Sequence, residues 1–254
     1  MKKLSIAFVV LTALVATAPA FAADLALKAP PPAPAWSWTG WYAGLNVGGS
    51  FGKADDSVTN ATTGAAFGSG SSSSNMDGVI GGGQLGYNWQ SGTWLFGLEA
   101  DFQGTGQKGT GSPGGVGGFI AGVAVVPVTG VLSDQEKLPW FGTLRGRIGL
   151  LATPTWLFYA TGGLAYAHIT SNETFTEGAT VVSNSFGTDR AGWTVGAGLE
   201  GVIGNNWTAK LEYLYMDFGT FSNTFTTIAP FPTLALSTHI TDNIVRVGVN
   251  YHFH

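Results

Sequence analysis

Eight runs of alternating apolar and polar residues follow residue 36 of this chain. In the first run, Trp41 and Leu45 share one face, whereas Tyr42 and Asn46 share the other. This period of two is the period of a β-strand and not that of a helix. The other seven runs lie at 77–90, 93–103, 138–151, 156–168, 190–203, 207–219 and 241–254.

The connections between the runs alternate between short and long. Short connections at 90–92, 152–155 and 204–206 contain turn residues, and long ones at 52–76, 104–137, 169–189 and 220–240 are predicted to be loops. This asymmetry is typical of barrels in the bacterial outer membrane, where a closed ring of strands leaves no backbone group unsatisfied in lipid. The sequence therefore predicts an all-β protein, an eight-stranded antiparallel transmembrane β-barrel with its loops outside and its termini in the periplasm.

Two of the predicted loops contain apolar segments, at 119–128 and 225–236. Because β-branched residues pair well in sheets, we expect these segments to extend the strands as paired hairpins. The alternative is an adhesive surface for an external ligand or partner.

The N-terminus has the pattern of an export signal. Lys2 and Lys3 precede an apolar run, and Ala20-Phe21-Ala22 forms a cleavage site, so we predict a signal peptide at 1–22. Residues 23–36 are rich in proline and are predicted to be a periplasmic spacer, because proline cannot donate to a sheet. The barrel then occupies residues 37–254.

Composition narrows the function classes. Loss of Lys2 and Lys3 with the signal changes the net charge from −4 to −6, which argues against nucleic acid as a partner. The chain has no cysteine, which excludes disulfides and thiolate metal sites. After the signal there is no apolar stretch of about 18 residues, so no helical span is expected.

Aromatic residues are concentrated near strand ends. A membrane girdle is predicted from the six tryptophans Trp41, Trp89, Trp94, Trp156, Trp193 and Trp207. The row nearer the long loops is expected to contain Phe51, Phe102, Trp140, Tyr166, Trp193 and Phe218. From Trp41 to Phe51 a tilted strand rises about 25 Å, which matches the apolar band of such barrels.

If the apolar faces point to lipid, the polar faces line the lumen. The predicted lumen charge network contains four acids and four bases, Glu99, Asp101, Arg145, Arg147, Glu200, Lys210, Glu212 and Arg246. Since unpaired burial of charge is costly and eight strands leave little bore, we expect a lumen plugged by salt bridges. The alternative is a narrow pore that these charges line.

Other candidate chemistry is weak. Glu99 with Asp101 could in principle act as acid and base, but neighbouring arginines favour ordinary ion pairs. His252 and His254 share a face near the terminus, which is too little to predict a metal site. Residues 104–109 match G-x-G-x-x-G by letters alone, with no helix after them. We therefore predict no catalytic, cofactor-binding or metal-binding residues.

Several short motifs carry a family resemblance. The segments 38–49 (WTGWYAGLNVGG), 142–149 (GTLRGRIG), 159–166 (YATGGLAY) and 251–253 (YHF) occur in the order in which they occur in alphaproteobacterial outer-membrane proteins of the Omp25/Omp31 type, which the chain resembles. The resemblance implies a small porin-like barrel that supports envelope integrity. It also implies a terminal signal for the barrel-assembly machinery, formed by Arg246, Gly248, Tyr251 and Phe253, although His254 follows the last aromatic residue.

The predicted function is thus structural: envelope integrity and surface presentation in the cell outer membrane. The alternatives are a narrow porin for small polar solutes and a surface receptor or adhesin for a ligand such as haem or a host surface. Expected partners are outer-membrane lipid, lipopolysaccharide and the assembly machinery. An external ligand stays open, and no enzymatic activity is expected.

Overall fold

A ring of eight long antiparallel strands forms the protein. The computed structural model describes residues 36–111, 115–116, 119–121, 124–126, 130–177, 179–225 and 233–253, so the predicted signal peptide and all of the spacer except Trp36 lie outside the described residues. The strands are β1 (Gly40–Asn60), β2 (Ala66–Ser91), β3 (Trp94–Gly111), β4 (Gly130–Thr153), β5 (Trp156–Glu177), β6 (Thr180–Gly204), β7 (Trp207–Phe225) and β8 (Leu234–Phe253).

Each strand pairs with its neighbours in sequence, and the pairing of the first strand with the last closes the ring. β1 pairs with β8 from Trp41 opposite Phe253 up to Asn60 opposite Leu234. β3 also pairs antiparallel with β4, so the sheet is continuous across the long connection between them. The prediction of an eight-stranded antiparallel barrel is confirmed. The part of the chain that the structure describes contains no helix with the length and apolarity of a membrane span.

The outer wall between the two aromatic rows is apolar. Leu45, Val47 and Val79 are 58–74% exposed on this wall, which is the surface that lipid covers in a membrane barrel. All six tryptophans of the predicted girdle point outward and are 45–55% exposed. The prediction that Phe218 belongs to the outward-facing upper row is wrong. Its side chain lies inside the ring, because Phe218 is two residues from inward-facing Met216 and therefore on the same face of the strand.

The predicted loop bounds are also wrong, because most of these residues belong to paired strands. Both β1 and β2 extend beyond the upper aromatic row: β1 ends at Asn60, β2 begins at Ala66, and a short turn joins them. From Phe51 to Asn60 the extension adds nine residues, which corresponds to about 23 Å of height for a tilted strand. The sheet therefore projects well outside the membrane.

The hydrophobic face changes sides above the membrane, which explains the error. In the extension of β1, Ala54 and Val58 are buried inside the ring, whereas Lys53 and Asp55 point outward. Outside lipid, water covers the outer wall and apolar residues fill the interior instead. The alternation with an apolar outer face therefore ends at the membrane boundary, and the predicted strands end there as well.

The apolar segments of the predicted loops are partly paired, as expected. In the β3–β4 connection, Phe119–Ala121 pairs with Ala124–Val126 as a small hairpin. In the other segment, Leu236 of β8 pairs with Asn223 of β7, and residues 226–232 lie outside the described residues.

The interior is arranged in four levels along the barrel axis. From the end that carries both barrel termini, which is the periplasmic end in the predicted orientation, these are an aromatic mouth layer, the charge network, an apolar layer and, above the upper aromatic row, an acidic layer. Inward glycines make room for the large side chains. A Cβ at Gly86 would overlap the ring of Tyr42, and one at Gly198 would overlap the ring of Tyr159. The narrow ring therefore accommodates a tyrosine where the facing residue has no side chain.

Candidate functional site

The eight charged residues predicted for the lumen lie together in the middle of the barrel, and their side chains are almost completely buried. They come from β3, β4, β6, β7 and β8, whose alternation turns every second residue inward. Four acids and four bases give the network a formal charge of zero. Burial of such groups is tolerated only where each has partners of opposite charge or hydrogen bonds.

Arg145 is the centre of the network. Its guanidinium donates from Nη1 to Glu212 Oε1 at 3.0 Å and from Nη2 to Asp101 Oδ2 at 2.8 Å. Nη2 also donates to Glu99 Oε1, and Nε donates to Thr143 Oγ1 at 2.9 Å. One cation thus joins carboxylates from β3 and β7, which lie on different sides of the ring.

Arg246 and Lys210 complete the contacts of the same acids. Arg246 donates from Nε to Glu212 Oε2 at 2.7 Å and from Nη2 to Asp101 Oδ2 at 2.8 Å. Lys210 Nζ lies 3.2 Å from both carboxylate oxygens of Glu99. The acids share these basic partners, and the network contains equal numbers of acids and bases. Removal of one base therefore leaves a buried negative charge that is only partly compensated.

Arg147 forms a second centre nearer the periplasm. Its Nη2 donates to Glu200 Oε2 at 2.7 Å, and its Nη1 donates to Tyr42 Oη at 2.8 Å. The Tyr42 hydroxyl in turn donates to Glu99 Oε2 at 2.8 Å. The guanidinium carbon lies 4.1 Å from the centre of the Tyr159 ring, a cation–π contact. The Tyr159 hydroxyl donates to Glu212 Oε1 at 3.0 Å, so two tyrosines join the two arginine centres.

The mouth layer closes the periplasmic end, and sequence reasoning missed it. Trp38 is fully buried, and its indole Nε1 donates to the Pro154 carbonyl at 3.1 Å. Trp36, assigned to the spacer, packs edge-on against Trp38 and His252, with ring centroids 5.9 and 5.4 Å apart. The available signal was parity, because Trp38 lies four residues before inward-facing Tyr42.

Above the charge network the lumen contains an apolar cluster, beside a smaller buried polar group formed by Ser50, Gln107 and Asp242. Ile244, Leu214, Phe141 and Met216 are fully buried in a cluster that also contains Phe218. The sequence pattern did not predict this inward apolar cluster. Alternation alone predicted the polar residues lower on the same strands, but it did not predict that the inward face changes character along its length.

The acidic layer lies above the apolar layer and was also missed. It consists of Asp56 on β1, Asp134 and Glu136 on β4 and Glu173 on β5, all buried. Each lies four to seven residues beyond an aromatic residue of the upper row, and hence outside the membrane. Burial and mutual repulsion raise the pKa of Glu136 to about 9, and those of Asp134 and Glu173 to about 7. The sequence pattern predicts loops at all four positions, and the structure places them in paired strands.

The residues predicted as the assembly signal lie at the end of β8. Tyr251 and Phe253 point outward near the periplasmic rim, where Tyr251 packs edge-on against Trp207. Gly248 faces inward, and Arg246 belongs to the charge network. The final strand pairs with β1, so the terminal aromatic residues lie at the seam where the ring closes.

A closed antiparallel ring with an apolar outer belt and aromatic rows defines the class of this protein, an outer-membrane β-barrel. The family described as "Outer membrane protein beta-barrel domain" matches residues 8–253, and the chain belongs to that family. The protein is located in the cell outer membrane.

Relatives of the same kind support this assignment. The 31 kDa outer-membrane immunogenic protein of Brucella melitensis is 36% identical over 92% of this chain and 93% of its own length. The 22 kDa outer membrane protein of Rhizobium leguminosarum bv. viciae is 32% identical over 74% of this chain and 68% of its own length. The resemblance to the Omp25/Omp31 type is confirmed.

A solved structure shows the same fold at low sequence identity. The outer membrane protease OmpT of Escherichia coli superposes with a TM-score of 0.55 at 10% identity, covering 87% of this chain and 99% of that one. At this identity the likeness extends to the fold alone.

Proposed function

We propose that this protein is a non-conducting structural barrel, which contributes to envelope integrity and presents a tall β-sheet surface outside the cell. The observation that carries the proposal is the contact of Arg145 with Glu212 and Glu99, which bridges the lumen between β7 and β3. A solute crossing the barrel would have to separate these buried ion pairs. An eight-stranded barrel has just enough interior for its own side chains.

The other levels support a closed lumen independently. Below the network, Trp38 lies across the periplasmic mouth and is held by hydrogen bonds to Gln90 and Pro154. Above it, Phe141 and Leu214 are fully buried in the apolar layer. Hydrated ions pass poorly through apolar constrictions, which exclude water.

Single-channel recording in planar bilayers tests the closed lumen. The refolded, untagged barrel is inserted, and its insertion is verified by heat-modifiable migration on gels. We expect no steady conductance steps, while a large porin inserted in the same way gives them. Steady steps from the pure barrel would overturn the proposal in favour of the alternative, a narrow pore for small polar solutes.

The role in the envelope is tested in cells. We expect a deletion strain to be more sensitive to detergents and chelators, and expression of the wild-type chain to restore resistance. A chain without the extension above the upper aromatic row should restore resistance but lose surface exposure. Unchanged sensitivity of the deletion strain would count against a structural role.

Surface presentation draws support from the height of the sheet and from a relative named as immunogenic. The adhesin or receptor alternative, with haem or a host surface as ligand, depends on this outer end. If the adhesin or receptor alternative holds, deletion of 225–236 should abolish binding of the ligand. If binding is retained, this segment does not form the binding surface.

The proposed partners follow from the surfaces. Lipid and lipopolysaccharide would cover the apolar wall, and the assembly machinery would read Tyr251 and Phe253 at the end of β8. We propose a non-catalytic role, because the carboxylates best placed for acid–base chemistry are engaged: Glu99 accepts bonds from Arg145, Lys210 and Tyr42.

A further inference from the structure

The acidic layer brings carboxylates from opposite parts of the ring together outside the membrane. β1 and β4 are separated by β2 and β3 in the sheet. Even so, carboxylate oxygens of Asp56, Asp134 and Glu136 all lie within 4.8 Å of one another. The side chains therefore reach across the lumen and converge on one point.

The convergent oxygens lack ordinary partners. Glu136 is 2% exposed, and among the described residues neither of its carboxylate oxygens has a hydrogen-bond partner. One oxygen of Asp134 and one of Asp56 are likewise buried without a partner within this part of the chain. Buried carboxylate oxygens in folded proteins are nearly always satisfied, so this arrangement suits a positively charged ligand.

We propose that Asp56, Asp134 and Glu136 bind one divalent cation of the hard, oxygen-seeking class, with calcium as the best fit. Calcium takes carboxylate oxygens at about 2.3–2.6 Å, so two of its ligand oxygens lie at most about 5 Å apart. The separations within the cluster meet this limit. Calcium binding at this site does not require the closed lumen proposed above.

The surroundings favour a hard cation over a soft one. Buried hydroxyl residues lie at the same level: Thr238, which donates to Asp56 Oδ1 at 2.7 Å, and Ser171, which pairs with Glu136 across β4 and β5. The chain has no cysteine. Oxygen-only surroundings suit calcium or magnesium, whereas zinc and copper prefer nitrogen or sulfur.

The electrostatics agree with a bound cation. The charged neighbours that raise the pKa of Glu136 are Asp56, Asp134 and Glu173, all acids. Without a cation these carboxyls hold protons or repel one another; a divalent ion would neutralise two charges and join β1 to β4. Such a link would stabilise the tall extension above the membrane. Calcium sites outside cells typically have weak affinities, with dissociation constants of about 0.1–1 mM.

Calcium binding to the refolded barrel tests the site. The protein is stripped with EDTA in zwitterionic micelles free of lipopolysaccharide, and equilibrium dialysis with radioactive calcium measures stoichiometry and affinity. We expect one ion per chain with a dissociation constant of about 0.1–1 mM. Absence of binding at 10-fold higher calcium, about 10 mM, would overturn the proposal.

Neighbouring residues on β1 supply a matched control. Asp56→Asn and Glu136→Gln should each weaken calcium binding about tenfold or more, because each removes a charged ligand at unchanged shape. Asp55→Asn removes an adjacent carboxylate that points outward and should leave binding unchanged. Equal binding by all three variants and the wild type would refute the site.

A second measurement covers variants that fail to fold. Crystals of the wild-type barrel soaked in a lanthanide, a calcium surrogate, should show one strong anomalous peak between Asp56 and Glu136. Peaks found only at the outer surface of the barrel would contradict the proposal.

Discussion

Arg145→Met removes the cation at the centre of the charge network and leaves an unbranched apolar side chain that replaces the aliphatic part of the arginine. Arg145 contacts Glu99, Asp101 and Glu212, so its loss leaves the network with four acids and three bases. Loss of one partner from a buried ion pair costs about 3–5 kcal/mol. We expect the free energy of unfolding to fall by that amount and no more, because Arg246 and Lys210, which contact the same acids, still compensate part of the charge.

Guanidinium unfolding in phospholipid vesicles, followed by tryptophan fluorescence, measures this loss. Lys53→Met is the matched control, since Lys53 pairs with Asp55 at 2.9 Å on the exposed extension, with both side chains about half exposed. Its removal should cost no more than about 1 kcal/mol. The double variant Arg145→Met with Glu212→Gln restores charge balance and should recover about 1–2 kcal/mol of the loss.

Equal destabilisation of the barrel by Arg145→Met and by Lys53→Met would refute this prediction. So would a double variant that is less stable than Arg145→Met by the full cost of a second, independent loss. Either result would mean that these charges do not act as one buried network.

Three further predictions concern the inner face, the acidic layer and the terminus. Gly86→Ala should destabilise the barrel by about 1–3 kcal/mol in the same unfolding assay, because the new methyl overlaps Tyr42, whereas outward Gly81→Ala should be nearly neutral; equal effects would contradict the packing. With EDTA present, stability should fall as pH rises from about 5 to 9, because the folded acidic layer, with its raised pKa values, binds more protons than the unfolded chain; denaturant midpoints measure this, and Glu136→Gln should reduce the slope. Phe253→Ala should lower the fraction of heat-modifiable barrel in cells but leave refolding in micelles intact, and a normal folded fraction in cells would remove this residue from the assembly signal.

The sequence predicted the transmembrane part of the fold because lipid imposes a simple alternation. Leu45 and Val47 face lipid and Asn46 faces inward, so the strand, its orientation and the inward charged residues follow from parity. The same rule failed above the membrane. There Ala54 and Val58 fill the interior and Asp55 meets water, so the apolar face is on the other side of the strand.

The acidic layer shows a second limit of the sequence. Asp56 and Glu136 are 80 positions apart, and only ring closure brings their side chains together. Alternation states which side of a strand a residue occupies, but it does not state which residues meet across the lumen. Likewise, the sequence predicts that Arg145 lies among acidic residues in the lumen, but it does not predict which of these acids Arg145 contacts.

Site-directed spin labelling of β1 and β2 tests directly whether the outer wall faces lipid and the interior is packed. The chain has no native cysteine, so single cysteines can be introduced without background. Leu45→Cys and Val47→Cys should carry labels that collide with oxygen dissolved in lipid. Labels at Asn46→Cys and Gln84→Cys should be shielded from both oxygen and a water-soluble nickel reagent, because they lie in a packed interior. Free access of the nickel reagent to Asn46→Cys and Gln84→Cys would reveal a water-filled channel and contradict the account.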